Sequence, residues 1–205
     1  MCIRDRGWAP EGEQEIFSLD EMIKIWDPSR ISKSPAIFDP LKLRAINAAY
    51  IRALPAEEFR RLADPFIDSA VHCDIDRDLL CANLQPRCEV LEDIPPQLDF
   101  FDAVLPIDAE MYRNKKQKTT PESAKEALTA LLPVLEAQTD WTRDAIFEAC
   151  KTLAEQMEKK NGWLLFPLGI ALSGKARTPG GGTDLAAMMG KAETLKRVKD
   201  ALGKL

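Results

Sequence analysis

The sequence predicts an all-α protein. Helix-start signals recur along the chain, apolar residues follow them at three- and four-residue spacing, and no alternating run of strand length occurs. The first element opens at Ser18-Leu-Asp-Glu21, a capping box in which the Ser18 hydroxyl and the Glu21 carboxylate satisfy each other's backbone amides. Phe17 and Met22 form a hydrophobic staple across that start. Leu19, Met22, Ile23 and Trp26 line one face, and Asp27-Pro28 ends the helix. Asp39-Pro40 is a second start, with the carboxylate as cap and Pro in the first turn, where no amide is needed. Leu43, Ile46, Asn47, Tyr50, Ile51 and Leu54 follow on one face.

A short helix is expected from Pro55 to Asp64, stopped by Pro65, and another from Arg77 to about Gln85. From Ile94 to Thr120, prolines and a basic cluster (Arg113, Lys115, Lys116, Lys118) read as a boundary region or an exposed connection. Thr120-Pro121 starts a helix carrying Leu128, Leu131, Leu132 and Leu135. Asp140 is the expected cap of the next, which carries Ile146, Phe147, Cys150, Leu153 and Met157 and ends at Asn161-Gly162. After Thr178-Pro-Gly-Gly-Gly182, two short helices separated by Gly190 complete the pattern.

Composition narrows the function. The chain has 205 residues, 45% hydrophobic and 30% charged, enough apolar content for a packed core. The longest apolar stretch, Trp163 to Leu172, is broken by Pro167 and Gly169 and is too short for a bilayer, and no signal-peptide pattern is present. Five cysteines in no ligand spacing predict reduced thiols and a cytoplasmic setting. One histidine, His72, offers neither a metal cluster nor a triad, and it reads as a surface or satisfied helix-end residue. Neither GxGxxG nor GxxxxGK[ST] occurs. The residues therefore predict no catalytic and no metal site in this chain.

Charge is uneven. Residues 151–205 hold ten Lys and Arg against five Asp and Glu, although the whole chain carries −5. The excess reads either as a polyanion-binding surface or as the solvated face of a last helix bearing Lys191, Lys196, Arg197, Lys199 and Lys204.

Several segments recur in one order: Gly-Trp-Ala-Pro-Glu-Gly (7–12), Ile-Phe-Ser-Leu-Asp-Glu (16–21), Ile-Ser-Lys-Ser-Pro-Ala-Ile-Phe-Asp-Pro (31–40) and Leu84-Gln-Pro-Arg-Cys-Glu-Val-Leu91. Leu165-Phe-Pro-Leu-Gly-Ile-Ala-Leu-Ser-Gly174, Thr178-Pro-Gly-Gly181 and Gly190-Lys-Ala-Glu-Thr-Leu-Lys-Arg197 continue the series. In this order the chain resembles the carboxy-terminal half of bacterial glutamyl-tRNA synthetase. Residues 94–140 contribute mainly length and helicity to the likeness. The family's amino-terminal half is a Rossmann-type domain that activates glutamate with ATP. Its carboxy-terminal half is a stem-contact region followed by two helical subdomains that hold the anticodon loop. Arg30-Ile-Ser-Lys-Ser34 is not the family's ATP loop, because a Val/Ile-Ser-Lys-Ser-Pro segment precedes the Phe-Asp-Pro helix downstream of that loop.

The resemblance implies a stem-contact region over 7–60, one helical subdomain over 61–140 and a second over 141–205. Residues 1–6 fall outside the family pattern and read as a non-native leader. It implies anticodon-loop contacts from Gly169, Lys175, Arg177, Thr178, Pro179, Gly180 and Gly181. It also implies contacts on the tRNA body from Lys33, Lys42, Arg44, Asn47 and Arg52, with an internal hydrogen-bonding role open for Asn47. The expected partners are glutamate tRNA and a catalytic domain of the same parent chain, with no DNA and no membrane. No cofactor is expected here; ATP and magnesium belong to the parent's catalytic half.

Gly169 departs from the family, which commonly has Pro-Leu-Arg at Pro167-Leu168-Gly169. Lys175 and Arg177 are the nearest substitutes for the missing donor. On the bare sequence the glycines of 180–182 also fit a turn that needs positive φ. Trp141, Phe147 and Trp163 read as core in preference to base-stacking platforms, and the Arg113–Lys118 cluster as solvation of a loop in preference to a stem contact. A free-standing RNA-binding paralogue and a helical protein scaffold are the rival readings.

Overall fold

The computed structural model describes Trp8, Gln14, residues 16–31 and residues 39–205. The leader 1–6, most of the 7–12 segment and residues 32–38, Lys33 among them, lie outside the described residues. Eight α-helices form among those described: α1 (Leu19–Ile25), α2 (Pro40–Ala53), α3 (Ala56–Asp68), α4 (Arg77–Leu84), α5 (Pro121–Ala137), α6 (Arg143–Gln156), α7 (Asn161–Ser173) and α8 (Gly182–Leu202). No strand ladder occurs among them; Trp8–Ile31 and Asn114–Thr119 are isolated bridges.

The capping box at Ser18 is formed, with Glu21 N donating to Ser18 Oγ and Ser18 N to Glu21 Oε2 at 2.7 Å. Met22 packs on Phe17 as the staple requires. Trp8 joins them at 2% exposure, packs against Trp26 with ring centres 5.3 Å apart and planes tilted by 32°, and donates its Nε1 to Asp27 O. Leu19, Ile23 and Trp26 remain exposed, so most of the apolar face of α1 lies in solvent. Asp39 caps α2 through Leu41 N and Lys42 N.

Three expectations about helix ends change. Pro65 does not stop α3, which runs on to Asp68 with Pro65 inside. Phe59, Ala63 and Ile67 form one buried stripe on α3, and its continuation outweighs one missing backbone bond. Thr142, not Asp140, caps α6 by accepting from Ala145 N, while Asp140, two residues earlier, accepts from Thr142 N. Asn161-Gly162 starts α7 instead of ending α6; the reversal falls on Glu158, at φ 54.

Residues 94–120 are irregular, built of short 3-10 turns, but they are not an exposed connection. Ile94, Leu98, Phe100, Phe101 and Tyr112 are buried in the same core as Ile51, Leu131, Leu168 and Ala201. α7, apolar all round, lies at its centre against α8, α5 and α6. Gly174 ends α7 in the left-handed region (φ 70), where a Cβ would meet Leu105 O at 2.7 Å. α8 begins so close to α7 that a Cβ on Gly182 would meet Leu165 O at 2.7 Å, and it breaks at Gly190 (φ 77).

The last helix is not simply a wet basic face. Arg197 is 3% exposed, paired with Glu193 and donating to Phe100 O, Phe101 O and Leu172 O at 2.6–2.7 Å. Lys191 closes the end of α5 by donating to Glu136 O and Gln138 O. These cations are spent on carbonyls inside the fold.

His72 is exposed, and its ring nitrogen lies 2.6 Å from Asp102. That contact, with the His72 and Cys73 amides, holds the Asp102 carboxyl well below the usual carboxylate range. Cys81, Cys88 and Cys150 are buried, which pushes their thiols up to about 11, 11 and 12.

Candidate nucleic-acid interface

The strap between α7 and α8 is fixed at both ends by its own side chains. Ser173 Oγ donates to Gly169 O (2.7 Å) and accepts from Lys175 N (3.0 Å). Thr178 Oγ1 donates to Gly180 O at 2.5 Å, and Gly181 N donates to Asp184 Oδ2 at 2.7 Å, starting α8. Among the described glycines only Gly174 and Gly190 take positive φ, so Gly180–Gly182 do not serve as left-handed corners. They serve close approach: a Cβ on Gly180 would meet the Asp184 Cβ at 2.5 Å.

This strap forms one wall of a cleft of about 720 Å³. Gly169, Lys175, Arg177, Thr178, Gly180 and Gly181 all line it, so six of the seven positions proposed for the anticodon meet in one place. The seventh, Pro179, is buried within the strap. Lys175 is largely committed, with its ammonium on Asp99 and on Pro96 O (2.8 Å). Arg177 is exposed and holds no such partner among the described residues.

Four side chains outside the seven expected at the anticodon help to complete the cleft. Arg87 reaches across to the strap, donating to Pro179 O (2.8 Å) and Thr178 O (3.3 Å). Its place in the Leu84–Leu91 segment was the available signal. Arg143 pairs with Asp184 (3.1 Å) and lies 5.5 Å from the Phe147 ring centre. Phe147 thus stands on the cleft wall and not in the core, whereas Trp163 is buried as expected. Gln117 lines the far side. Nothing in the local sequence marks Arg143 or Gln117, and the helical spacing that marked Phe147 put it in the core, because only packing brings these residues together.

Arg87, Arg143, Lys175 and Arg177 face the cleft against a single lining carboxylate, Asp184. The arrangement gives a positive hollow with backbone edges, two aromatic side chains (Phe147 and Phe166) and the amides of Gln97 and Gln117. That chemistry suits an anionic, planar ligand better than a metal. Among the described residues no group of His, Cys, Asp and Glu could hold a metal ion, and no helix is long and apolar enough to cross a membrane.

Of the residues proposed for the tRNA body, Lys33 lies outside the described residues and the other four are spread along α2. Arg44 pairs with Glu89 (2.9 Å) and Asp93, and Asn47 donates to Glu89 O at 2.5 Å, so both tie α2 to the segment after α4. Arg52 is exposed at the far end of α2, and Lys42 is half-buried near its start.

Comparison with known proteins places this geometry in context. Residues 44–202 match a family model described as an anticodon binding domain. The chain is 44% identical over 199 residues to a glutamate–tRNA ligase of Clostridium botulinum, and 42% identical over 200 residues to that of Clostridium acetobutylicum. In each case the match covers 97% of this chain but 41% of the relative, so the chain spans under half the length of these curated relatives. A crystal structure of a glutamate tRNA ligase from Elizabethkingia meningosepticum, in complex with its amino acid, superposes with TM-score 0.81 at 27% identity. That match covers 97% of this chain and 39% of the other.

Proposed function

The chain belongs to the anticodon binding domain family, corresponding to the carboxy-terminal part of glutamate–tRNA ligases, and we propose that it holds the anticodon loop of glutamate tRNA in the cleft between α6, α7 and the Lys175–Gly181 strap. The single observation that carries this reading is the convergence on one basic hollow of Gly169, Lys175, Arg177, Thr178, Gly180 and Gly181 with Arg87 and Arg143. Unstacked bases are read by side chains and backbone groups at close range, while cations draw in the phosphates. The strap supplies the backbone edges, Phe147 a face for stacking, and the arginines the charge.

In this reading residues 7–60 make the stem-contact region, 61–140 the first anticodon subdomain and 141–205 the second. The cleft draws Arg87, Gln97 and Gln117 from the first and Arg143 to Asp184 from the second. Lys33, Lys42 and Arg52 remain candidates for the tRNA body. Arg44 and Asn47 act first as internal ties. Joining glutamate to tRNA, with ATP and magnesium, belongs to a catalytic domain beyond this chain, which contributes the grip and no bond-making group.

Equilibrium binding of the purified chain to glutamate tRNA, across a salt series, tests the reading. The comparison is the same tRNA with its anticodon bases replaced. Tighter binding to the native anticodon, weakening steeply with salt, is expected. Equal affinity for both, or no binding by folded protein, refutes it.

A further inference from the structure

Among the described residues many cations are already paired: Arg44, Arg77, Arg113, Arg143, Arg197 and Lys199 each face a carboxylate. Lys115, Lys116, Lys118 and Lys160 differ. All four are exposed, and no carboxylate or carbonyl among the described residues takes up their ammonium groups. With Arg113 bound to Glu110, the basic cluster read from the sequence reduces to its three lysines.

The loop that carries them is built, not slack. Asn114 and Thr119 exchange backbone bonds at 3.1 Å each, and Asn114 Oδ1 accepts from Lys116 N (3.0 Å) and Gln117 N (3.1 Å). Thr119 Oγ1 donates to Tyr112 O at 2.7 Å in the interior. Lys118 is held at φ 56, uncommon for a residue with a Cβ. The loop's fourth residue, Gln117, abuts the start of α7 so closely that a Cβ on Gly162 would lie 1.8 Å from its Oε1. Gln117 and Gly162 both line the cleft, and Lys160 precedes α7 as its cap residue. The loop and the α6–α7 turn therefore make one ridge on the cleft's edge.

We propose that Lys115, Lys116, Lys118 and Lys160 form a phosphate-binding ridge that grips the RNA backbone as it enters the cleft. The proposal rests on the cleft being an anticodon site. No ion pair must break for these amines to take phosphates, and lysine acts as a point charge without base-reading geometry. The ridge thus contributes affinity and salt dependence while discrimination stays with the cleft.

The quadruple variant K115Q/K116Q/K118Q/K160Q of the 205-residue chain tests this, with K196Q/K204Q on α8 as control. Each is titrated with glutamate tRNA and with its anticodon-altered form at several salt concentrations. The slope of log affinity against log salt is expected to shrink in magnitude by about 3 to 3.5, at about 0.7–0.9 for each phosphate neutralised and its counterions released. The ratio between the two RNAs, the thermal midpoint and the control's slope should not move. An unchanged slope in the variant, with wild-type binding intact, overturns the ridge alone. Loss of the ratio with the slope kept overturns it by moving these lysines into base reading. Equal wild-type affinity for phosphatidylserine vesicles, lost in the variant, overturns the RNA assignment for an anionic membrane. Wild-type protein that binds neither RNA removes the anticodon reading and the ridge together.

Discussion

Arg197 shows how far one side chain's role depends on where packing puts it. Its guanidinium sits inside the core, tying the end of α7 at Leu172 to Phe100 and Phe101 on the irregular segment. Removing the donor leaves buried carbonyls unpaired, so Arg197→Met is expected to cost about 3 kcal/mol or more. A urea unfolding midpoint measures it, and a loss within about 0.5 kcal/mol, as at ordinary surface positions, would contradict the clamp. Gly169 makes the opposite case. A Cβ there meets only Gly182 atoms at 3.9 Å, so a side chain can enter the cleft without displacing the backbone. Gly169→Arg is expected to sharpen discrimination at one anticodon base by about 1–3 kcal/mol, by analogy with base-reading side chains on DNA. The check is the ratio of dissociation constants between tRNAs differing at single anticodon positions, and no change at any of them sinks the expectation.

Helix starts were legible where cap, first turn and apolar face agreed in a few residues, as at Ser18, Asp39 and Thr120. They were misread where two candidate caps lay two residues apart. Asp140 and Thr142 both bear suitable side chains, and the choice fell to Trp141, whose indole docks on Ala186 O at 2.9 Å and fixes where α6 can begin. Thr142→Ala should therefore cost about 1 kcal/mol and Asp140→Ala clearly less. Thermal unfolding of the two variants decides it, and the reverse order would restore Asp140 as the cap. Pro65 teaches a related point, since a residue that ends an isolated helix is carried through when the face on both sides is buried.

Across the whole molecule, one continuous core reaches from Ile51 to Ala201, and the irregular 94–112 segment is part of it. The strap and the two arginines facing it are consequences of that packing, since Arg87 and Arg143 lie 56 residues apart and meet only through the fold. In the proposed reading the cleft serves recognition alone. With glutamate, ATP, magnesium and glutamate tRNA supplied, the chain is expected to form no glutamyl-tRNA. Acid-stable charging of labelled glutamate by clean protein would overturn that division of labour.

From the sequence came the all-α class, the caps and staples, the break at Gly190 and the strap at Thr178–Gly182, because each depends on residues within a turn or two of one another. The strap's place in the ordered series of segments also carried the likeness to an anticodon-binding half. Only the tertiary structure decided which cations remain available for a ligand. Arg44, Lys175, Lys191 and Arg197 are bound to partners tens of residues away, while the lysines around Gln117 are not. Charge is visible in a sequence, but its neutralisation requires a partner brought close in space, and only the fold supplies that.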